Sequence, residues 1–85
     1  MTGHAMPLAN RAGILCNDVS FRRYVGEQTL GKGHMVTPPV AAAYLRRACG
    51  IAIRTELNTN TAAAEKFGQL RTEFDAWRGL IGRPR

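Results

Sequence analysis

The sequence predicts an all-α domain, a compact bundle of four to five short helices with a longer C-terminal helix. Three observations carry this. Apolar residues recur at helical spacing in successive segments. Capping residues or prolines precede these segments, and glycines follow several of them. No stretch shows a convincing strand pattern of apolar and polar alternation.

The first segment runs from about Pro7 to Cys16. Pro7 suits the first helical position, where its missing N–H leaves nothing unsatisfied. Leu8, Ala12 and Leu15 share a face, with Arg11 on the other side. Asn17 or Asp18 then caps a second, short helix by accepting a backbone N–H. Phe21 and Val25 share its apolar face, Tyr24 flanks them, and Arg22 and Arg23 point elsewhere. Gly26 is its predicted end. Thr37 and Pro38 read as N-cap and first position of a third helix, "PVAAAYLRRAC". Gly50 closes it as a left-handed residue, with Ile51 placed for the hydrophobic contact that often follows. Val40, Tyr44 and Ala48 form one apolar row, and Ala41, Leu45 and Cys49 the next.

"IAIRTELN" is a connector with one helical turn around Arg54 to Leu57. Asn60 is the preferred cap of the last helix, about Thr61 to Leu80. Ala63, Phe67, Leu70, Phe74, Trp77 and Ile81 make a single apolar seam along it. Arg71 and Asp75 form an i,i+4 pair worth about 0.3 kcal/mol. Gly68 inside this helix costs about 1 kcal/mol relative to alanine, and a close backbone approach would explain it. Gly79, Gly82 and Pro84 then end the helix. The predicted organisation is one helical domain, residues 1–82, and a basic tail, 83–85.

A chain of 85 residues has room for one thin core and little room for an enclosed active site. Its apolar fraction of 45% argues against wholesale disorder. "MTGHAMPLANRAGILC" lacks a basic n-region, and Asn10 and Arg11 cut its apolar stretch, so no secretory leader is predicted. No apolar run approaches a membrane span. The expectation is a cytoplasmic chain without membrane contact. Cys16 and Cys49 sit at apolar-periodic positions and read as buried thiols.

The stretch "GEQTLGKGHMVTPP" invites a phosphate-loop reading, and it fails on spacing. "GKGH" has no Ser or Thr after Lys32, and a dinucleotide fingerprint would need glycine where Val36 stands. It reads as a connector. With two histidines and two isolated cysteines, no metal-ligand spacing exists, and no cofactor is expected. The acids form no evident pair, and the thiols lie on apolar faces, so no catalytic site is predicted.

Charge is the remaining signal. The net charge is +6, and ten of the twelve basic residues are arginine. Arg22 and Arg23 lie on the polar side of the second helix, Arg46 and Arg47 on that of the third, and Arg54 follows. If the two helices lie side by side, these arginines form one patch for nucleic acid or an acidic partner, since the guanidinium fork suits phosphate. The competing reading is scattered solubilising charge, some of it bonded to helix C-termini. Tyr24 is the best candidate for an exposed, base-stacking ring. The turn before the third helix is too long and glycine-rich for a helix-turn-helix.

The phrases "LCND", "AAAYLRRACGI" and "RTELNTNTAAAEKFGQLRTEFDAW" resemble small uncharacterised accessory proteins of proteobacterial phages and prophages, over Leu15 to Trp77. In that pattern a C-G-I-x-S-R-x-E-L phrase precedes a helix ending in tryptophan. Ile53 stands here where the pattern has serine, so the capping box that serine would form with Glu56 is lost. The resemblance carries no functional residues across. It implies a protein that acts on nucleic-acid machinery. Three functions are consistent with it. One is a non-catalytic accessory protein binding nucleic acid or a host nucleoprotein complex through Arg22, Arg23, Arg46, Arg47 and Arg54. Another is an anti-CRISPR-like inhibitor binding a host defence effector directly. The last is a homo-oligomeric structural helper, for instance a homodimer.

Overall fold

The structure, a computed structural model, describes residues 6–79. Four α-helices and one short 3-10 helix follow in order: α1 Leu8–Asn17, α2 Val19–Thr29, α3 Pro38–Cys49, the 3-10 helix Arg54–Asn58, and α4 Thr61–Trp77. There is no strand among the described residues. α4 is the longest element at 17 residues. α4 stops at Trp77, short of the predicted end at about Leu80, because the chain turns at Gly79, which takes φ 80° and donates its N–H to the Ala76 carbonyl. The seam residue Ile81 and the basic tail lie outside the described residues.

Local chemistry sets most boundaries. Asp18 is the cap of α2, and its Oδ1 accepts the N–H groups of Ser20 (2.7 Å) and Phe21 (3.4 Å). Asn17 instead donates to the Gly13 carbonyl at the end of α1. Asn60 caps α4 by accepting the Ala63 N–H at 3.0 Å. Gly50 takes φ 71° and ψ 36° after α3. Its N–H bonds the Arg47 carbonyl, and the Ile51 N–H bonds the Arg46 carbonyl. That is the Schellman arrangement, and Ile51 is buried beside it. Pro7 precedes α1 as its cap, one position earlier than predicted. Thr37 holds the N-cap position of α3 but makes no side-chain cap bond.

The N-terminus of α1 is satisfied from far away. The Ala9 N–H donates to Asn58 Oδ1 at 3.0 Å, across 49 positions of sequence. The 3-10 helix keeps half a capping box. Ile53 has no side-chain acceptor, yet Glu56 Oε2 accepts the N–H groups of Ala52 and Ile53, each at 2.9 Å. The Glu56 N–H turns to the Ile53 carbonyl. The helical turn therefore forms without the serine.

The core runs through every element. Phe21, Val25, Leu45, Cys49, Leu57 and Phe74 are its largest fully buried side chains. Phe74 is its aromatic hub: the Phe21 ring meets it edge-on at 5.2 Å, and Tyr24 lies 5.6 Å away. Trp77 is half-buried and closes the cluster against Tyr24 at 5.5 Å. Such pairs contribute beyond their buried area.

Four sequence readings change. α2 does not end at Gly26 but continues to Thr29, with Gly26 buried inside it. The chain returning at His34 and Met35 presses on that backbone. A side chain at Gly26 would meet the His34 carbonyl carbon at 2.6 Å and Met35 Cα at 2.8 Å. Tyr24 is buried and not an exposed ring, because its hydroxyl-bearing ring fits between Phe74 and Trp77. On α3 only the Ala41, Leu45 and Cys49 row enters the core fully, while Val40 and Ala48 are exposed. Gly68 is exposed with no neighbour within 4 Å of a would-be side chain, so no helix approaches it there. No helix among the described residues is long and apolar enough to cross a membrane.

Candidate functional site

The five arginines singled out from sequence divide between structural and free roles. Arg22 is a clasp. Its main-chain carbonyl accepts the Val36 N–H at 3.3 Å, and its Nε donates to the Val36 carbonyl at 3.0 Å. It ties the glycine-bearing loop to α2. Gly31 (φ 109°) and Gly33 (φ 89°) give that loop the left-handed turns it needs. Glu27 holds the loop's other side by accepting the Gly33 N–H at 3.3 Å. Lys32 is exposed on it. Arg23 is exposed on α2 and makes no hydrogen bond or ion pair among the described residues.

Arg46, Arg47 and Arg54 behave differently. Arg46 and Arg47 occupy the last turn of α3. Arg54 folds its guanidinium over α1, where its Cζ lies 3.0 Å from the place a Gly13 Cβ would occupy. Burial pushes the Cys16 thiol up, and the positive charges of Arg54 and Arg46 oppose the rise. Lys66, from α4, also reaches the end of α3. Its Nζ lies 3.5 Å from the position of a Gly50 Cβ, and its charge opposes the burial-driven rise of the Cys49 thiol. Both thiols are free, buried and poor nucleophiles. The structure thus gathers Arg46, Arg47, Arg54 and Lys66 around the C-terminal end of α3. Sequence reasoning missed Lys66, because nothing local links a residue of the last helix to the end of the third.

The carboxylates explain why this group stays uncompensated. Asp18, Glu27 and Glu56 accept backbone N–H groups. Asp75 takes both Arg71 (3.3 Å) and Arg78 (3.0 Å), the ion pairs of the described residues. The Arg71–Asp75 pair is the one the i,i+4 spacing predicts. Arg78 also lies over the Phe74 ring, its Cζ 4.5 Å from the centroid. Glu65 and Glu73 line the exposed side of α4 with Gln69 and Thr72. Arg46, Arg47, Arg54 and Lys66 make no ion pair among the described residues.

A second feature lies between α1 and α4. Leu8, Arg11, Ala64, Phe67, Gly68 and Arg71 line an open groove of about 550 Å³. Arg11 and Arg71 also border a neighbouring hollow of about 400 Å³ with Met6, Ile14, Leu15 and Asp18. Neither encloses a set of catalytic groups. Among the described residues, no three His, Cys, Asp or Glu side chains come together as a metal site would need.

Comparison with protein-family models, curated proteins and solved structures finds no match to this chain.

Proposed function

We propose that this chain is a non-catalytic accessory protein, of the phage or prophage type its sequence resembles, that grips the phosphate backbone of duplex nucleic acid. The duplex would be free or held in a host nucleoprotein complex. One observation supports this reading above others: Arg46, Arg47, Arg54 and Lys66 share the end of α3 with no ion-pair partner among the described residues. A helix C-terminus carries about half a negative charge, which these cations together exceed. What remains attracts an anion, and arginine holds phosphate with parallel hydrogen bonds. Arg23 adds a further exposed cation, on α2, with no ion-pair partner among the described residues. Arg22 contributes charge while its Nε stays on Val36.

The aromatic residues favour duplex over single strands. Non-specific single-strand binding relies on exposed rings that stack on bases. Here Phe21, Tyr24, Phe67 and Phe74 are buried, and Tyr44 and Trp77 are half-buried. The contacts left are to phosphate, which position a protein on nucleic acid without reading its sequence.

The test is fluorescence anisotropy with labelled duplex and single-stranded DNA and RNA. Wild type is compared with an Arg46→Ala, Arg47→Ala, Arg54→Ala variant. Three or four phosphate contacts predict an affinity loss of about 40- to 150-fold between about 50 and about 200 mM salt. The variant is expected to lose most of the binding and most of the salt slope. Absence of binding even at low salt removes this reading. A host defence effector inhibited by the protein in high salt would then favour direct protein capture.

A further inference from the structure

We infer that the exposed face of α1 is a self-association surface that pairs antiparallel with α1 of a second copy. Arg11 and Ile14 on α1 and Asp18, the residue that ends it, stand at i, i+3 and i+7, a stripe along one side of the helix. They border the same hollow, together with Met6, Leu15 and Arg71. Ile14 is 60% exposed, so the middle of the stripe is apolar and open, and Met6, 45% exposed, lies beyond its Arg11 end. Its two ends carry opposite charges. Both are available. Arg11 makes no ion pair among the described residues. Asp18 caps α2 through Oδ1 alone, which leaves Oδ2 for an incoming cation.

A two-fold axis through Ile14 would set Arg11 of each copy against Asp18 of the other. The two charges sit about 10 Å apart along the helix, one on each side of the axis. Isologous pairing demands this self-complementarity: if one residue meets another, the reverse contact also forms. A parallel arrangement would oppose like charges and is disfavoured. Ile14 of one copy would pack against Ile14 of the other at the axis. None of Arg11, Ile14 and Asp18 is among the residues assigned to phosphate, so the inference does not rest on the nucleic-acid reading.

The contact is small. α1 has ten residues, and a helix that short is about 15 Å long. Such a surface falls at or below the lower limit of about 1,200 Å² for stable interfaces, so a weak, reversible dimer is expected.

Sedimentation equilibrium from about 10 µM to about 1 mM covers that affinity range. Salt near about 0.15 M screens the repulsion between two copies of charge +6. Wild type is expected to move from monomer mass toward dimer mass. Ile14→Asp, at an exposed position, is expected to remain monomeric with an unchanged helical circular-dichroism spectrum. Asp18→Asn keeps the capping oxygen, removes the charge and is expected to weaken the dimer severalfold. Ile14→Cys is expected to give a covalent dimer on mild oxidation, while Val40→Cys on α3 is not. A wild type that stays monomeric throughout overturns the inference. So does a dimer that survives Ile14→Asp, or an Ile14→Cys chain that crosslinks no faster than Val40→Cys.

Discussion

Glycine stands inside α2 at Gly26 and inside α4 at Gly68, and the surroundings of the two are opposite. At Gly26 a methyl group would run into the backbone of His34 and Met35, which cannot yield as a flexible side chain can. Gly26→Ala is therefore expected to destabilise by about 1–3 kcal/mol, the usual cost of overfilling a packed site. At Gly68 nothing lies within 4 Å and the backbone is helical. Gly68→Ala is expected to stabilise by about 0.4–1 kcal/mol, by restricting the unfolded chain. Urea unfolding of both variants checks the pair, and the midpoints should move in opposite directions. Both glycines occupy helix interiors in the structure, and nothing local in the sequence says which one touches a neighbour. Composition predicted a terminator at Gly26 and a close approach at Gly68. The returning loop reverses the assignment.

Individual elements were legible wherever their signals are local. Asp18, Asn60 and the Gly50–Ile51 pair lie within a few residues of the groups they satisfy, and each does what its type suggests. The α4 seam was legible because Ala63, Phe67, Leu70 and Phe74 repeat over several turns. On α3 two apolar rows lie side by side, and periodicity cannot choose between neighbours. Tyr24 was misread because its burial depends on Phe74 and Trp77, far along the chain. The candidate site was half legible. The arginine pairs were visible, but the clasp on Val36 and the arrival of Lys66 depend on tertiary structure. The 3-10 helix supplies a test at this scale. Its Glu56 already reaches back to Ala52 and Ile53, and only the reciprocal acceptor is missing. Ile53 is 60% exposed, so little packing is lost on replacing it. Ile53→Ser is expected to complete the box and stabilise by about 0.5–1 kcal/mol, read as a raised thermal midpoint.

Across the whole molecule, charge and core chemistry separate. Acids cap helices and pair with Arg71 and Arg78, while the end of α3 keeps its positive charge. The core holds no buried charged residue among the described positions, but it does hold groups that ionise at high pH. Burial, followed by Tyr44 and Glu73 nearby, pushes the Tyr24 hydroxyl from 10.0 up to about 12. Burial also raises both thiols above 9.0. Each group holds its proton more tightly folded than unfolded, so stability falls where only the unfolded chain has ionised. The fold is expected to keep this stability below about pH 9 and to lose it progressively toward about pH 12. Urea midpoints at stepped alkaline pH measure the decline, and Tyr24→Phe should flatten its upper part.

The bond from Ala9 to Asn58 has a consequence for the order of events during synthesis. A chain made from its N-terminus releases α1 before the residue that completes it exists. Until Asn58 has emerged, the first turn of α1 has only water for its Ala9 N–H. Domains tend to fold as units as they leave the ribosome. This one has its earliest helix waiting on its fourth element, so the first turn of α1 is completed only after the 3-10 helix has left the ribosome.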